Sequence, residues 1–244
     1  MMKNILAIDV GNTNTVFGIY KQDHLFHTYR VVSNLSNFNK ALKDLIKKFE
    51  INFVSIASVV PKITESFKIN INSTPYICIN GKLDLGIKYP MEDPSFVGAD
   101  LIANIYSALK KYQTNCIIID FGTATTVQFV SEDWVYYGCA ILPGINTAAC
   151  SLFKKAALIN TINLDNPKHI LGKNTQESLN SGIILSHVYA VEGYIINIKK
   201  QYKHIKNIKT IATGGLVDLI TKNTNIFDII DKNLTLDGVF FIAM

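Results

Sequence analysis

The chain has 244 residues, 48% of them hydrophobic and 18% charged, with a formal net charge of +5. That length buries roughly three quarters of the surface an unfolded chain exposes and allows one large domain or two of about 120 residues, and the composition excludes a disordered or fibrous protein. The positive charge does not amount to a nucleic-acid surface, because the lysines are scattered without a long basic block and only Arg30 among the 24 basic residues is an arginine.

Lys3 is followed by a short apolar run that Asp9 interrupts, and no apolar run approaches the length of a membrane span. The expectation is a cytoplasmic protein with neither membrane nor nucleic acid as partner. Residues 4 to 10 read as a buried strand, Thr15 to Tyr20 as the next, and Leu25 to Val32 as a third, rich in β-branched and aromatic residues. From Ser36, a candidate N-cap, Phe38, Leu42, Leu45, Ile46 and Phe49 recur at helical spacing. Residues 53 to 60 return as a strand ending at Pro61, and Thr74 to Ile79 read as another. This order suits a layered α/β domain.

Gly86 to Asp100 holds Pro90, Pro94 and Gly98 and reads as an irregular loop leading into a helix from about Ala99 to Tyr112. Asp100 falls in the first turn of that helix, where free N–H groups and the helix dipole favour an ionised carboxylate. It is either a base beside the loop or a residue that improves the helix end. The second half starts again with strand Cys116 to Asp120, a turn, strand Thr125 to Val130, a turn at Ser131 to Asp133, and strand Trp134 to Ile141, closed by Pro143-Gly144. A helix from about Asn146 to Leu158 and a polar loop from Asn163 to Thr175 follow. Thr175 is a candidate cap for a long helix to about Lys200, with Ile183, Ile184, His187, Val191 and Tyr194 along one side. Strand Ile208 to Ala212 then meets Thr213-Gly214-Gly215, whose glycines open a helix and leave N–H groups for an anion.

The chemistry concentrates in two copies of one pattern. Ile8-Asp9-Val10-Gly11-Asn12-Thr13-Asn14-Thr15-Val16 and Ile119-Asp120-Phe121-Gly122-Thr123-Ala124-Thr125-Thr126-Val127 align without a gap at an offset of 111 and share five of nine residues. In each, an apolar strand ends in an acid, turns through glycine, and restarts with hydroxyl side chains. Such a hairpin offers backbone N–H groups to phosphate oxygens while its acid holds a metal-bound water. Two copies imply two half-sites for one nucleotide and a division into residues 1–114 and 115–244.

Other chemistries lack support. No G-x-x-x-x-G-K-[ST] loop or G-x-S-x-G elbow occurs. The four cysteines show no paired spacing, and His24 and His27 have no evident partners for a metal. Trp134 reads as a packed hairpin residue.

Taken in order, Asp9-Val10-Gly11-Asn12-Thr13, Gly98-Ala99-Asp100, Asp120 to Thr126, Pro143-Gly144, Gly172-Lys173-Asn174-Thr175, Ser181-Gly182 and Thr213-Gly214-Gly215 resemble type III pantothenate kinase across nearly the whole length. The resemblance implies the actin-like ATPase (ribonuclease H-like) fold, with duplicated domains of mixed sheets flanked by helices. It also implies a homodimer in which the partner helps complete the pantothenate pocket, and transfer of the ATP γ-phosphoryl group to pantothenate. By the same resemblance Asp9, Val10, Gly11, Asn12, Thr13, Asn14, Thr15 and Val16 cradle the phosphates and magnesium, and Thr123 adds a phosphate contact. Asp120 binds a monovalent cation, potassium or ammonium, unless it only ties the turn to nearby N–H groups. Asp100 accepts the proton of the attacking hydroxyl, and Gly98, Ala99 and Thr175 line the substrate. Two positions depart from the family pattern: Leu101 stands where an arginine usually grips pantothenate, and Met91 where a tyrosine is usual. A lost charge-assisted contact costs about 1.5 to 3 kcal/mol unless a lysine such as Lys88 replaces it. The same fold acting on another hydroxylated substrate, or as a non-enzymatic nucleotide-binding regulator, stands as the alternative.

Overall fold

A computed structural model describes residues 4–71, 73–155 and 164–244. The chain divides into two compact units, one of Met1–Gln113 with Asn233–Met244 and the other of Thr114–Lys232. The duplicated pattern suggests a break after residue 114, and the first unit's long segment ends at Gln113. A division there puts Asn233–Met244 in the second half, whereas this segment packs in the first unit.

In the first unit, β1 (Ile5–Val10) pairs antiparallel with β2 (Asn14–Lys21), and β2 with β3 (His24–Val32). On its other side β1 runs parallel to β4 (Phe53–Ser58), which runs parallel to β5 (Tyr76–Cys78), giving the order β3-β2-β1-β4-β5. The sequence of β1 is almost wholly apolar because a central strand is covered on both faces. The edge strand β3 is exposed along most of its length. Helix α1 (Leu35–Phe49) buries Phe38, Leu42 and Leu45 against one sheet face, beside Leu6, Ile8, Val54 and Ile56. Its cap is Asn34, whose side chain accepts from the Asn37 N–H at 2.8 Å, and not Ser36, because the asparagine stands in extended backbone one residue before the first turn.

Helix α2 (Pro61–Asn70) starts where the sequence suggests only the end of a strand. Pro61 marks the end of a strand, and it is equally suited to the first helical position, where its missing N–H is not needed. After a 3-10 turn at Pro94–Phe96, helix α3 (Ala99–Tyr112) has the predicted bounds and packs on β4.

The second unit repeats the plan. Strands β6 (Cys116–Phe121), β7 (Ala124–Val130) and β8 (Tyr136–Pro143) form an antiparallel meander, with Trp134 in the left-handed turn before β8 and not in the strand. Helix α4 (Ile145–Lys155) is followed by residues 156–163, so the expected continuation to Leu158 and the start of the polar loop at Asn163 lie outside the described residues. Helix α5 (Thr175–Gln201) buries Ile184, Val188 and Val191 against Ile117, Ile119 and Val127. Strand β9 (Lys209–Thr213) runs parallel to β6, helix α6 (Val217–Thr221) follows, and β10 (Ile229–Ile230) completes the order β10-β9-β6-β7-β8. Strand for strand this is the order of the first sheet, so two mixed sheets flanked by helices are present, as expected.

Helix α7 (Leu234–Phe241) returns the chain to the first unit. Tyr20 stacks on Phe240 with ring centroids 4.0 Å apart, and its hydroxyl donates to Asp237 at 2.5 Å. Lys111 pairs with the same carboxylate at 2.9 Å, and Thr235 donates to the buried Asn104 at 2.7 Å. These contacts join α7 to β2 and α3.

Candidate active site

In the first unit the turn between β1 and β2 closes when the Gly11 N–H donates to the Asn14 carbonyl at 3.0 Å. Val10 pairs with Thr15 and Asp9 with Val16, which places Asp9 at the end of the central strand and Asn12 and Thr13 at the tip. The turn is braced by a residue outside the sequence motifs. Ser33, just after β3, donates its hydroxyl to the Gly11 carbonyl at 2.6 Å, lies 2.9 Å from the Thr15 hydroxyl, and sends its N–H to the Thr13 carbonyl at 3.0 Å. No local pattern marks it, because a lone serine after a strand resembles any loop residue.

Gly98 precedes α3, and Asp100 lies in the helix's first turn. A Cβ on Gly98 would sit 2.5 Å from the Asp100 carboxylate, so the glycine keeps space for that group. The Leu101 N–H donates to Asp100 Oδ1 at 2.8 Å. The helix end alone predicts an ionised carboxylate; here burial outweighs the N–H groups of Leu101 and of Asp100 itself and pushes the carboxyl up from its ordinary value. Leu101 is half-buried and Met91 is 39% exposed in the loop before the helix. That loop has its own tyrosine two residues before Met91: burial pushes the Tyr89 hydroxyl up to about 12. Lys88 is exposed.

In the second unit the corresponding turn is one residue shorter. The Gly122 N–H donates to Ala124 at 3.0 Å, Phe121 pairs with Thr125, and Asp120 pairs with Thr126. Beyond the turn the gap-free alignment therefore breaks: Thr15 corresponds in the sheet to Thr125, and both are fully buried. Around this turn glycines do the packing. Gly214, at φ +97°, closes on β6 so that a Cβ there would lie 2.5 Å from both the Asp120 carboxylate and the Phe121 nitrogen. Strand pairing of Asp120 with Thr213 thus brings the third glycine turn onto Asp120. Gly144 sends its N–H to the Thr123 carbonyl at 3.1 Å, and a side chain on it would collide with the Gly122 and Thr123 carbonyls. Thr147, another residue the sequence reading did not select, donates to the same Thr123 carbonyl at 2.7 Å.

Thr175 is the first residue of α5, and the cap is Asn174, not Thr175 as expected. Asn174 accepts from the Glu177 N–H at 2.9 Å, while Glu177 accepts from the Lys173 N–H and the Asn174 amide, each at 2.9 Å. This reciprocal box, led by the Lys173 N–H, holds the Glu177 carboxyl below its ordinary range. The Thr175 side chain is relieved of capping.

Among the described residues no three His, Cys, Asp or Glu side chains converge as a metal cluster. A magnesium ion that arrives with a nucleotide uses one or two carboxylates plus phosphate oxygens and water, and Asp9 and Asp120 each stand beside a glycine turn. No helix among the described residues is long and apolar enough to cross a membrane.

Repeated sheets of this order, each with an acid and a glycine turn after its central strand, belong to the actin-like ATPase fold. Solved structures agree on the fold. A Campylobacter jejuni protein described as a conserved Baf family transcriptional activator is 21% identical, with a TM-score of 0.60, 97% of this chain covered and 96% of that one. An inorganic polyphosphate/ATP-glucomannokinase of an Arthrobacter species is 12% identical, with a TM-score of 0.55 and 99% and 98% of the chains covered. Residues 5–197, well over half of the chain, match the type III pantothenate kinases, and the protein belongs to that family. The family's activity is ATP-dependent phosphorylation of pantothenate to 4'-phosphopantothenate in coenzyme A biosynthesis.

Proposed function

We propose that this chain carries out that reaction with Asp100 as proton acceptor, and the placement of this carboxylate carries the reading. It stands half-buried in the first turn of α3, Gly98 keeps space for it, and its partial removal from water raises its pKa, which makes it a better base than an exposed aspartate. The pantothenate hydroxyl oxygen attacks the γ-phosphorus, the bond to the β–γ bridging oxygen breaks, ADP leaves, and the hydroxyl proton passes to Asp100. Asp9 to Val16 hold the ATP phosphates, with Asp9 toward magnesium, and Thr123 adds a phosphate contact. Magnesium with the nucleotide supplies charge neutralisation. Asp120, seated against Gly214, holds potassium or ammonium. Gly98, Ala99 and Thr175 contact pantothenate, and in a homodimer the partner completes the pocket. The enzyme works in the cytoplasm on cytoplasmic ATP.

Leu101 and Met91 favour a second reading, a kinase of the same family plan whose acceptor is another small hydroxylated molecule. Leu101 offers no charge to a carboxylate, Met91 offers no hydroxyl, and the loop's tyrosine stands at 89. The discriminating experiment is ADP release with ATP, magnesium and potassium, with and without pantothenate, and the product identified by mass. Pantothenate-dependent ADP with a phosphopantothenate mass is expected. ATP binding without turnover at high pantothenate would move the assignment to another acceptor. Leu101→Arg should lower KM for pantothenate if the pocket lacks only a clamp.

A further inference from the structure

His187 is one of three buried polar residues of α5, with Asn180 and Ser181. It is 8% exposed, with Nδ1 2.7 Å from the Ile183 carbonyl and Nε2 3.0 Å from the Pro143 carbonyl. The two contacts differ in kind. Ile183 lies one turn back in the same helix, where its carbonyl already receives the helical N–H of residue 187. Pro143 is the last residue of β8, 44 positions away in sequence. Both ring nitrogens face carbonyl oxygens, so each contact is a hydrogen bond where that nitrogen carries a proton, and the Nε2–H bond to Pro143 is the one that joins two elements.

From Pro143 the path to the second phosphate turn is one residue long. Gly144 donates its N–H to Thr123 at 3.1 Å and packs too closely on the Gly122 and Thr123 carbonyls to admit a side chain. Thr147 donates to the Thr123 carbonyl at 2.7 Å, and the Ala148 N–H closes the start of α4 on the Gly144 carbonyl at 2.8 Å. The junction of β8 and α4 therefore braces the turn from behind, and His187 ties that junction to α5, the helix that begins at Thr175.

We propose that His187 is a positioning residue for the second phosphate turn: through Nε2–H and the Pro143 carbonyl it fixes Gly144, and through Gly144 it fixes Thr123. This rests on the assignment of Thr123 to ATP. His187→Leu keeps a buried apolar volume and removes the donor, and His187→Gln can place an amide N–H near the Nε2 position. His187→Asn reaches only toward Nδ1 and falls short of Pro143. The expected result is an about 10-fold rise in KM for ATP in the Leu and Asn variants, with kcat changed less and KM restored toward the parent value by Gln. The Gly144 amide should exchange its hydrogen faster in Leu and Asn than in Gln, a readout independent of turnover.

Thr123→Ala separates the two ways of failing. If Thr123→Ala raises KM for ATP while the Leu, Asn and Gln variants of His187 all keep the parent KM and Gly144 exchange, His187 only fills the core and the proposal is overturned. If Thr123→Ala leaves KM unchanged, the nucleotide assignment of the turn fails and the proposal falls with it. Should His187→Leu not fold, the comparison of Asn with Gln decides the same question.

Discussion

The two glycine turns descend from one pattern and are built differently. The first is the longer, and a side chain, Ser33, holds it through the Gly11 carbonyl and the Thr15 hydroxyl. The second is a residue shorter; a side chain, Thr147, reaches its carbonyl too, but Gly144 and Gly214 are also pressed onto it. The glycines within the two turns, Gly11 and Gly122, would meet little with a Cβ, at 3.2 and 3.4 Å, whereas the two glycines packed onto the second turn leave no room for one. The same acid-turn-hydroxyl sequence can thus be given a flexible or a rigid support by residues far from it in the chain.

The sharpest way to break this comparison is to add one methyl group at each glycine. Gly144→Ala and Gly214→Ala should destabilise the protein by about 3 kcal/mol or more, the first through collision with backbone and the second through collision plus strain at positive φ. Gly11→Ala should cost less than about 1 kcal/mol, since a Cβ there would meet only the Asn14 carbonyl, at 3.2 Å. Urea denaturation of the three variants measures this, and equal losses would show that the turns are supported alike.

Smaller effects sharpen the same point at the hydroxyls. Ser33→Ala removes the hydroxyl brace of the first turn and should cost about 1 to 2 kcal/mol, and Thr15→Val about 1 kcal/mol. Thr125, its counterpart in the sheet, is also buried, but its hydroxyl meets no hydrogen-bond partner among the described residues. Thr125→Val should therefore change stability by no more than about 0.5 kcal/mol or raise it slightly. A loss at Thr125 as large as at Thr15 would mean the two hydroxyls do the same work.

Asp100 extends the contrast to pH. Its folded pKa lies above the ordinary 3.8, so in the window between 3.8 and the raised value the unfolded chain holds less of this proton than the folded one. Stability from this group is therefore present at low pH and declines as pH rises through that window. Asp100→Asn should raise Tm slightly at neutral pH, with the gain shrinking as pH falls toward 3.8. In the parent protein kcat/KM should fall as pH drops through the raised value, because the base must be ionised to accept a proton.

Much of this was legible in the chain. The apolar runs of β1 and β6, the meanders and the bounds of α3 and α5 follow from periodicity and punctuation. Helix α2 hid behind Pro61, which ends a strand as readily as it starts a helix. Helix α7 is apolar on nearly all sides, so its pattern does not say which unit it joins; Tyr20, Lys111 and Asn104 decide that. The shortening of the second turn was masked by the consecutive threonines 125 and 126, either of which matches Thr15. The caps Asn34 and Asn174 each stand near a hydroxyl residue, Ser36 or Thr175, that suits a cap as well by residue type. Ser33, Thr147 and the burial of Asp100 depend on tertiary neighbours, and no local spacing announces them.

The central claim is that Asp100 takes the substrate proton, and Asp100→Asn tests it most directly by pairing ATP binding with pantothenate-dependent ADP release. The account predicts a kcat roughly 10²- to 10⁴-fold lower with ATP affinity nearly unchanged. Turnover within about two-fold of the parent, with ATP bound as before, would contradict it.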